Sequence, residues 1–110
     1  MEIQYKDKKI RELCEKQVVA ERKLGAPCAR KLSSRLGDLD AVTRASDLTF
    51  GNPHPLKGDR LGQFALDLTG GWRLVFSPAN CPSPTYADGS TDWTQVTIVC
   101  IEYIGDYHDQ

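Results

Sequence analysis

The chain has 110 residues, 40% of them hydrophobic and 26% charged, enough for one domain with its own core and too few for two. No apolar run approaches the roughly 20 residues of a membrane span, and Lys6, Lys8 and Lys9 are not followed by the apolar stretch of a secretory leader. The net charge of −1 gives nucleic-acid binding no support by itself.

That charge is unevenly spread. Residues 1–60 carry 13 Lys/Arg and 9 Asp/Glu, whereas residues 61–110 carry one Arg and 6 Asp/Glu. A fold that gathers Lys57, Arg60 and Arg73 into one cleft would still hold a phosphate chain.

Ile3 and Tyr5 alternate with Glu2 and Gln4, which predicts a short strand over residues 2–5. Ile10, Leu13, Cys14, Gln17 and Val18 then recur at three- and four-residue steps, the spacing of one face of a helix. Asp7 is its expected N-cap and Gly25 its stop. Pro27 suits the first turn of a second helix, whose stripe is Ala29, Leu32, Leu36 and Leu39, with Arg30, Lys31, Ser34 and Arg35 turned away. Gly37 weakens this helix near its end. One further turn is expected at Ser46-Asp47-Leu48.

Residues 51–60, GNPHPLKGDR, are expected to be irregular, because Pro53, Pro55 and Gly58 interrupt any regular element. His54 is held between the two prolines in this stiff loop. Phe64, Leu66 and Leu68 then alternate with Ala65, Asp67 and Thr69, and Trp72, Leu74 and Phe76 with Arg73 and Val75. Gly70-Gly71 supplies the turn of a hairpin. Its apolar face, Trp72 included, is expected in the core, with Asp67 and Arg73 on the other face. Residues 77–92 read as a loop, long for so small a domain. Residues 93–104, WTQVTIVCIEYI, read as a strand, and its apolar run from Val96 to Ile101 argues for a central position covered on both faces over part of its length. Gly105 breaks it and leaves a polar tail. Trp93, at its start, suits core packing or base stacking equally.

Cys14, Cys28 and Cys100 fall at apolar positions and read as core thiols, whereas Cys81, in the Pro/Ser/Asn loop, reads as the free reactive one. No cysteine spacing suggests a staple, so a reducing cytoplasm is the expected compartment.

The chemistry concentrates outside the regular elements. His54 lies in the rigid loop and His108 in the tail, and histidine exchanges protons near neutral pH. RNA carries its own nucleophile, the 2′-OH. Cutting it needs a base for that hydroxyl, an acid for the departing 5′ oxygen, and cations against the charge growing on the phosphoryl oxygens. His54, His108, Lys57, Arg60, Arg73 and Tyr107 supply those groups, and Asp106 is able to orient a neighbour. A competing set, His54, His108, Asp106 and Asp109, has usable metal ligands but matches no strong metal-binding spacing. Arg73 alone on a strand reads equally well as a salt-bridged arginine.

Three blocks in order make a more specific pattern: His54-Pro55-Leu56-Lys57-Gly58-Asp59-Arg60 with Gly62, then Gly71-Trp72-Arg73-Leu74-Val75-Phe76, then Asp106-Tyr107-His108. With a helical hairpin before them, they resemble the HigB branch of the RelE/ParE toxin superfamily, the plasmid-maintenance killer proteins. The resemblance implies a single α+β domain over residues 1–110, with two N-terminal helices on a twisted antiparallel sheet of about four strands. It implies a type II toxin that cleaves mRNA on the translating 70S ribosome, without metal or cofactor, leaving a 2′,3′-cyclic phosphate. It further implies a HigA-like helix-turn-helix antitoxin, through which alone the pair would contact operator DNA. Carried over position by position, His54, Lys57, Arg73, Asp106, Tyr107 and His108 form the catalytic set, and Lys57, Arg60, Arg73 and Tyr107 the RNA contacts. Two other readings fit a chain of this kind: a ParE-like toxin that binds a topoisomerase, and an inactive binding module, which the acidic balance favours slightly.

Overall fold

The structure, a computed structural model, describes residues 1–106. Tyr107, His108, Asp109 and Gln110 lie outside the described residues.

The first strand, β1, runs Glu2–Tyr5, and the helix after it begins where expected, with Asp7 accepting a hydrogen bond from the Ile10 amide. The single helix expected up to Gly25 is instead two: α1, Lys8–Glu15, and α2, Gln17–Leu24, with Lys16 extended between them. The reason lies in the buried positions. Ile10 and Cys14 pack on the core from α1, and Ala20 and Leu24 from α2. In an unbroken helix Ala20 would stand about 240° round from Cys14, and the break at Lys16 takes up that difference. Val18, expected on the core stripe, is 72% exposed as a result.

The second expected helix forms as α3, Ala26–Ala41, entered through Gly25 at φ 84 with Pro27 in its first turn. Ala29, Leu32 and Leu39 are buried as the stripe predicts, with Cys28 beside them. A 3-10 turn at Ala45–Asp47 follows.

The rest of the chain builds the sheet. Its strands are β2, His54–Pro55; β3, Phe64–Asp67; β4, Arg73–Pro78; and β5, Ile98–Gly105. Spatial order is β1-β5-β4-β3-β2. The expected sheet of about four antiparallel strands is therefore corrected to a mixed one of five, in which β1 pairs parallel with β5 and the other neighbours pair antiparallel. No local turn announces a parallel pair, since its two strands come from opposite ends of the chain. The segment 51–60 is likewise less irregular than expected: His54 and Pro55 form an edge strand, where a proline costs no ladder bond, and Gly58–Arg60 form a 3-10 turn.

All three helices cover one face of the sheet. Leu32 and Leu39 meet Phe64, Leu66, Leu74, Phe76, Val99 and Ile101 in the main core. Trp93 closes it, edge-on to Phe64 at 4.7 Å, which decides its role as packing. Trp93 belongs to a 3-10 turn, Trp93–Gln95, and the last strand starts only at Ile98. Trp72, expected in the core with Leu74 and Phe76, is 37% exposed. It belongs to the hairpin turn, where its amide bonds the Thr69 carbonyl, beyond the last paired residues Asp67 and Arg73.

β5 is central, between β1 and β4. A bulge at Glu102 lets Val75 pair with Tyr103 while Phe76 pairs with Ile101. Val99, Ile101 and Ile104 consequently face the helices, and Cys100, Glu102, Tyr103 and Gly105 face outward. That outer face is only partly covered, and Cys100 is half-buried there rather than in the core. The loop after β4 is organised: Asn80 Oδ1 accepts from the Thr97 and Ile98 amides, and Thr85 bridges Thr91. Among the described residues no helix is long and apolar enough to cross a membrane.

Candidate functional site

Directly opposed residues in an antiparallel pair point to the same face. The registers His54–Ala65, Ala65–Val75 and Val75–Tyr103 thus lay one row of side chains across the outer face, and Asp67–Arg73–Gly105 lays a second row beside it. Small residues floor the first row: Ala65 and Val75 are fully buried beneath Leu56 and Tyr103. From strand spacings of about 4.8 Å and rises of about 3.4 Å, the Cα atoms of His54 and Arg73 are roughly 12 Å apart.

His54 is aimed by the turn before it. Gly51 and Asn52 both take positive φ, 83 and 49, a conformation that glycine and asparagine tolerate best. This brings the Asn52 carbonyl 2.7 Å from His54 Nδ1. A carbonyl only accepts, so this contact requires a proton on Nδ1 and leaves Nε2 as the ring nitrogen available to a ligand.

Arg73 is gripped rather than loose. Its Nε lies 2.9 Å from Asp67 Oδ1, an ion pair whose N–H is not aligned on the oxygen, and its Nη1 donates to the carbonyls of Gly70 at 3.2 Å and Trp72 at 3.0 Å. Asp67 also receives the Asn52 side-chain amide on Oδ2 at 3.4 Å, and its own N–H donates to the Gly51 carbonyl at 2.6 Å.

Arg60 reaches the same face from the turn after β2, its guanidinium 4.5 Å from the Tyr103 ring centre. It also donates to Gln63 at 3.2 Å. Lys57 is exposed in the loop just past β2. Asp106 follows β5, and its carboxylate packs directly against Gly71, where a side chain would collide with it. His54, Arg60 and Arg73 therefore share one face, with Asp106 at the hairpin tip and Lys57 near the face's edge. Tyr107 and His108, the remaining residues of the expected set, lie outside the described residues. Among the described residues no three His, Cys, Asp or Glu side chains stand close enough to hold a metal ion.

Asn52 and Tyr103 are part of this arrangement and escaped the sequence analysis, and Asp67, expected only to share a face with Arg73, pairs with it directly. Counting outward from a two-residue Gly70-Gly71 turn sets Arg73 opposite Leu68, and the observed register, one residue off, sets it opposite Asp67 instead. Tyr103 was hidden because the bulge at Glu102 inverts the alternation on which its placement depends.

An open sheet face carrying a histidine and arginines, with three helices on the opposite face, defines the class: a small α+β fold with one sheet face left largely open. The solved structure of a YoeB/ParE toxin from Agrobacterium tumefaciens shares this fold, with a TM-score of 0.60 over 97% of this chain and 99% of that one. Sequence identity is 13%, so the likeness is one of architecture and does not single out the HigB branch. No protein-family profile and no curated protein matches the sequence.

Proposed function

We propose that this chain is the toxin of a type II toxin–antitoxin pair and cleaves mRNA on the ribosome without a metal ion. The observation that carries the reading is His54, its Nδ1 engaged by the Asn52 carbonyl, on an open sheet face that also bears Arg73 and Arg60. The fold shared with a YoeB/ParE toxin supports it.

In the proposed reaction His54 Nε2 takes the proton from a ribose 2′-OH. The 2′ oxygen bonds to the adjacent phosphorus as the bond from phosphorus to the 5′ oxygen breaks, leaving a 2′,3′-cyclic phosphate and a 5′-hydroxyl. Arg73 and Lys57 stabilise the charge on the phosphoryl oxygens, and Arg60 holds the neighbouring backbone. With His54 taken as the base, the proton for the 5′ oxygen falls to His108, and Asp106 and Tyr107 complete the set. The partners follow from the HigB resemblance: a HigA-like antitoxin, the 70S ribosome, and operator DNA only through the antitoxin, all in the cytoplasm.

The test is tightly controlled expression, alone and with a candidate antitoxin, followed by mapping of mRNA 5′ ends. Codon-positioned cuts that vanish in H54A and R73A while the fold is retained support the reading. Full cleavage by an H54A/H108A double variant refutes it. One observation favours a second reading, a toxin that acts by binding alone: the charge of Arg73 is already met by Asp67 at 2.9 Å. Growth arrest with intact mRNA selects that one.

A further inference from the structure

Asp67 sits where three constraints on the outer face converge. One carboxylate oxygen holds Arg73 Nε at 2.9 Å, the other receives the Asn52 side chain at 3.4 Å, and the Asp67 amide donates to the Gly51 carbonyl at 2.6 Å. Asn52 in turn supplies the carbonyl that orients His54 Nδ1 at 2.7 Å. A single aspartate thus connects the arginine on β4 to the turn that carries the histidine of β2. No backbone ladder bond links those two strands, because β3 lies between them.

We propose that Asp67 is a positioning residue that locks His54 and Arg73 into one geometry for the cleavage described above, and the inference rests on that reading. The cost of the lock is electrostatic. The carboxylate neutralises Arg73 in the resting protein, so Asp67 trades RNA affinity for alignment. This separates it from a residue that merely supports the fold. Removing it is expected to lower kcat while KM stays level or falls, because the freed guanidinium is a better phosphate ligand but a worse-placed one. A misplacement of about 1 Å costs on the order of 100-fold in rate, so a kcat loss of roughly 10- to 100-fold is expected in D67A.

The turn offers a second variant that leaves the ion pair alone. N52G keeps the positive φ without strain and deletes the side-chain link, and it also loosens the backbone at the carbonyl that meets His54. It should lower kcat several-fold with KM unchanged.

The experiment measures kcat and KM for cleavage of ribosome-bound mRNA by the wild-type protein, D67A and N52G. In parallel, NMR follows the Arg73 guanidinium and the His54 Nδ1–H signal. In the wild type, restricted rotation should keep the Arg73 Nη signals apart and the His54 proton protected from exchange. In D67A the Arg73 Nε signal should shift and broaden while the Gly70 and Trp72 carbonyls still engage Nη1, and in both variants the His54 proton should exchange faster. A steeper salt dependence of RNA binding in D67A, by about 0.7 in log–log slope for one more phosphate contact on a single strand, is the third expected sign.

An active wild type with D67A within twofold of it in kcat overturns the positioning role and leaves the proposed function standing. Loss of kcat with an equal loss of binding overturns it as well, since that marks a general structural defect. A wild type that cuts no mRNA refutes the proposed function instead. The NMR arm then decides the lock by itself, and Arg73 signals unchanged in D67A reject it.

Discussion

Gly105 provides a sharp test of how the outer face is packed. It is buried opposite Arg73, and a Cβ built on it would lie 2.6 Å from the Tyr103 hydroxyl oxygen and 2.8 Å from the ring carbon bearing it. Its φ is not among the positive ones, so alanine fits the backbone, and only the ring stands in the way. In G105A the ring must retreat by roughly 0.7 Å, away from its seat over Ala65 and Val75 and from Arg60. Overpacking of this kind costs about 1–3 kcal/mol, and weakening the arginine–ring contact adds about 0.5–1 kcal/mol. Alanine regains about 0.5 kcal/mol over glycine within a strand. The net expectation is a loss of about 2 kcal/mol, which at this chain length lowers Tm by roughly 8 °C. The decisive assay is a double-mutant cycle in urea. With the ring removed in Y103A, adding G105A should cost nothing or stabilise by about 0.5 kcal/mol. Equal destabilisation by G105A in both backgrounds would refute the ring as the cause.

Phe76 is fully buried between Phe64 at 5.3 Å and Trp93 at 6.1 Å, so F76A should lose about 3–5 kcal/mol by chemical denaturation. Gly51, at φ 83 with a Cβ that would meet Arg35 Cδ at 2.8 Å, should not accept alanine: G51A is expected to lose about 1–3 kcal/mol, with faster exchange of the Asp67 amide. Burial, with Glu15 adding to it, pushes the Cys14 thiol up to about 12, leaving about one thiolate in ten thousand at pH 8. Alkylation at that pH, followed by peptide mapping, should therefore modify exposed Cys81 and spare Cys14. Hydrogen bonds from the Ser90 side chain and amide hold the Asp88 carboxyl below its ordinary 3.8, and the Thr94 hydroxyl does the same for Asp92. A lowered folded-state value means their contribution is present above the ordinary carboxylate range and is lost as pH falls through and below 3.8. Acid titration by NMR should accordingly loosen the 85–94 segment before the strands.

Much of the site was legible because its residues announce themselves locally. His54 between two prolines is a constrained histidine in any fold, and Arg73, two residues past a Gly-Gly turn, is at the start of a strand. The alternation put Asp67 and Arg73 on one face, but their direct pairing was not legible, because a two-residue turn at Gly70-Gly71 would set Arg73 opposite Leu68. Nor was the link from Asp67 through Asn52 to His54, because that link runs between segments fifteen residues apart through a turn whose positive φ angles no periodicity records. Trp72 misled for a related reason: it keeps the parity of the strand but belongs to the turn, where parity no longer predicts burial.

What the amino-acid order determined by itself is the most local part of the fold: the strand at residues 2–5, the stripe of α3, and the hairpin of β3 and β4. These rest on side-chain period and turn chemistry, which act over a few residues. Tertiary structure alone decided that β1 pairs parallel with β5, that the first helix breaks at Lys16, and that Glu102 bulges to turn Tyr103 outward. Each of those is settled by which distant apolar surfaces are buried together, and that competition leaves no periodic trace in the chain.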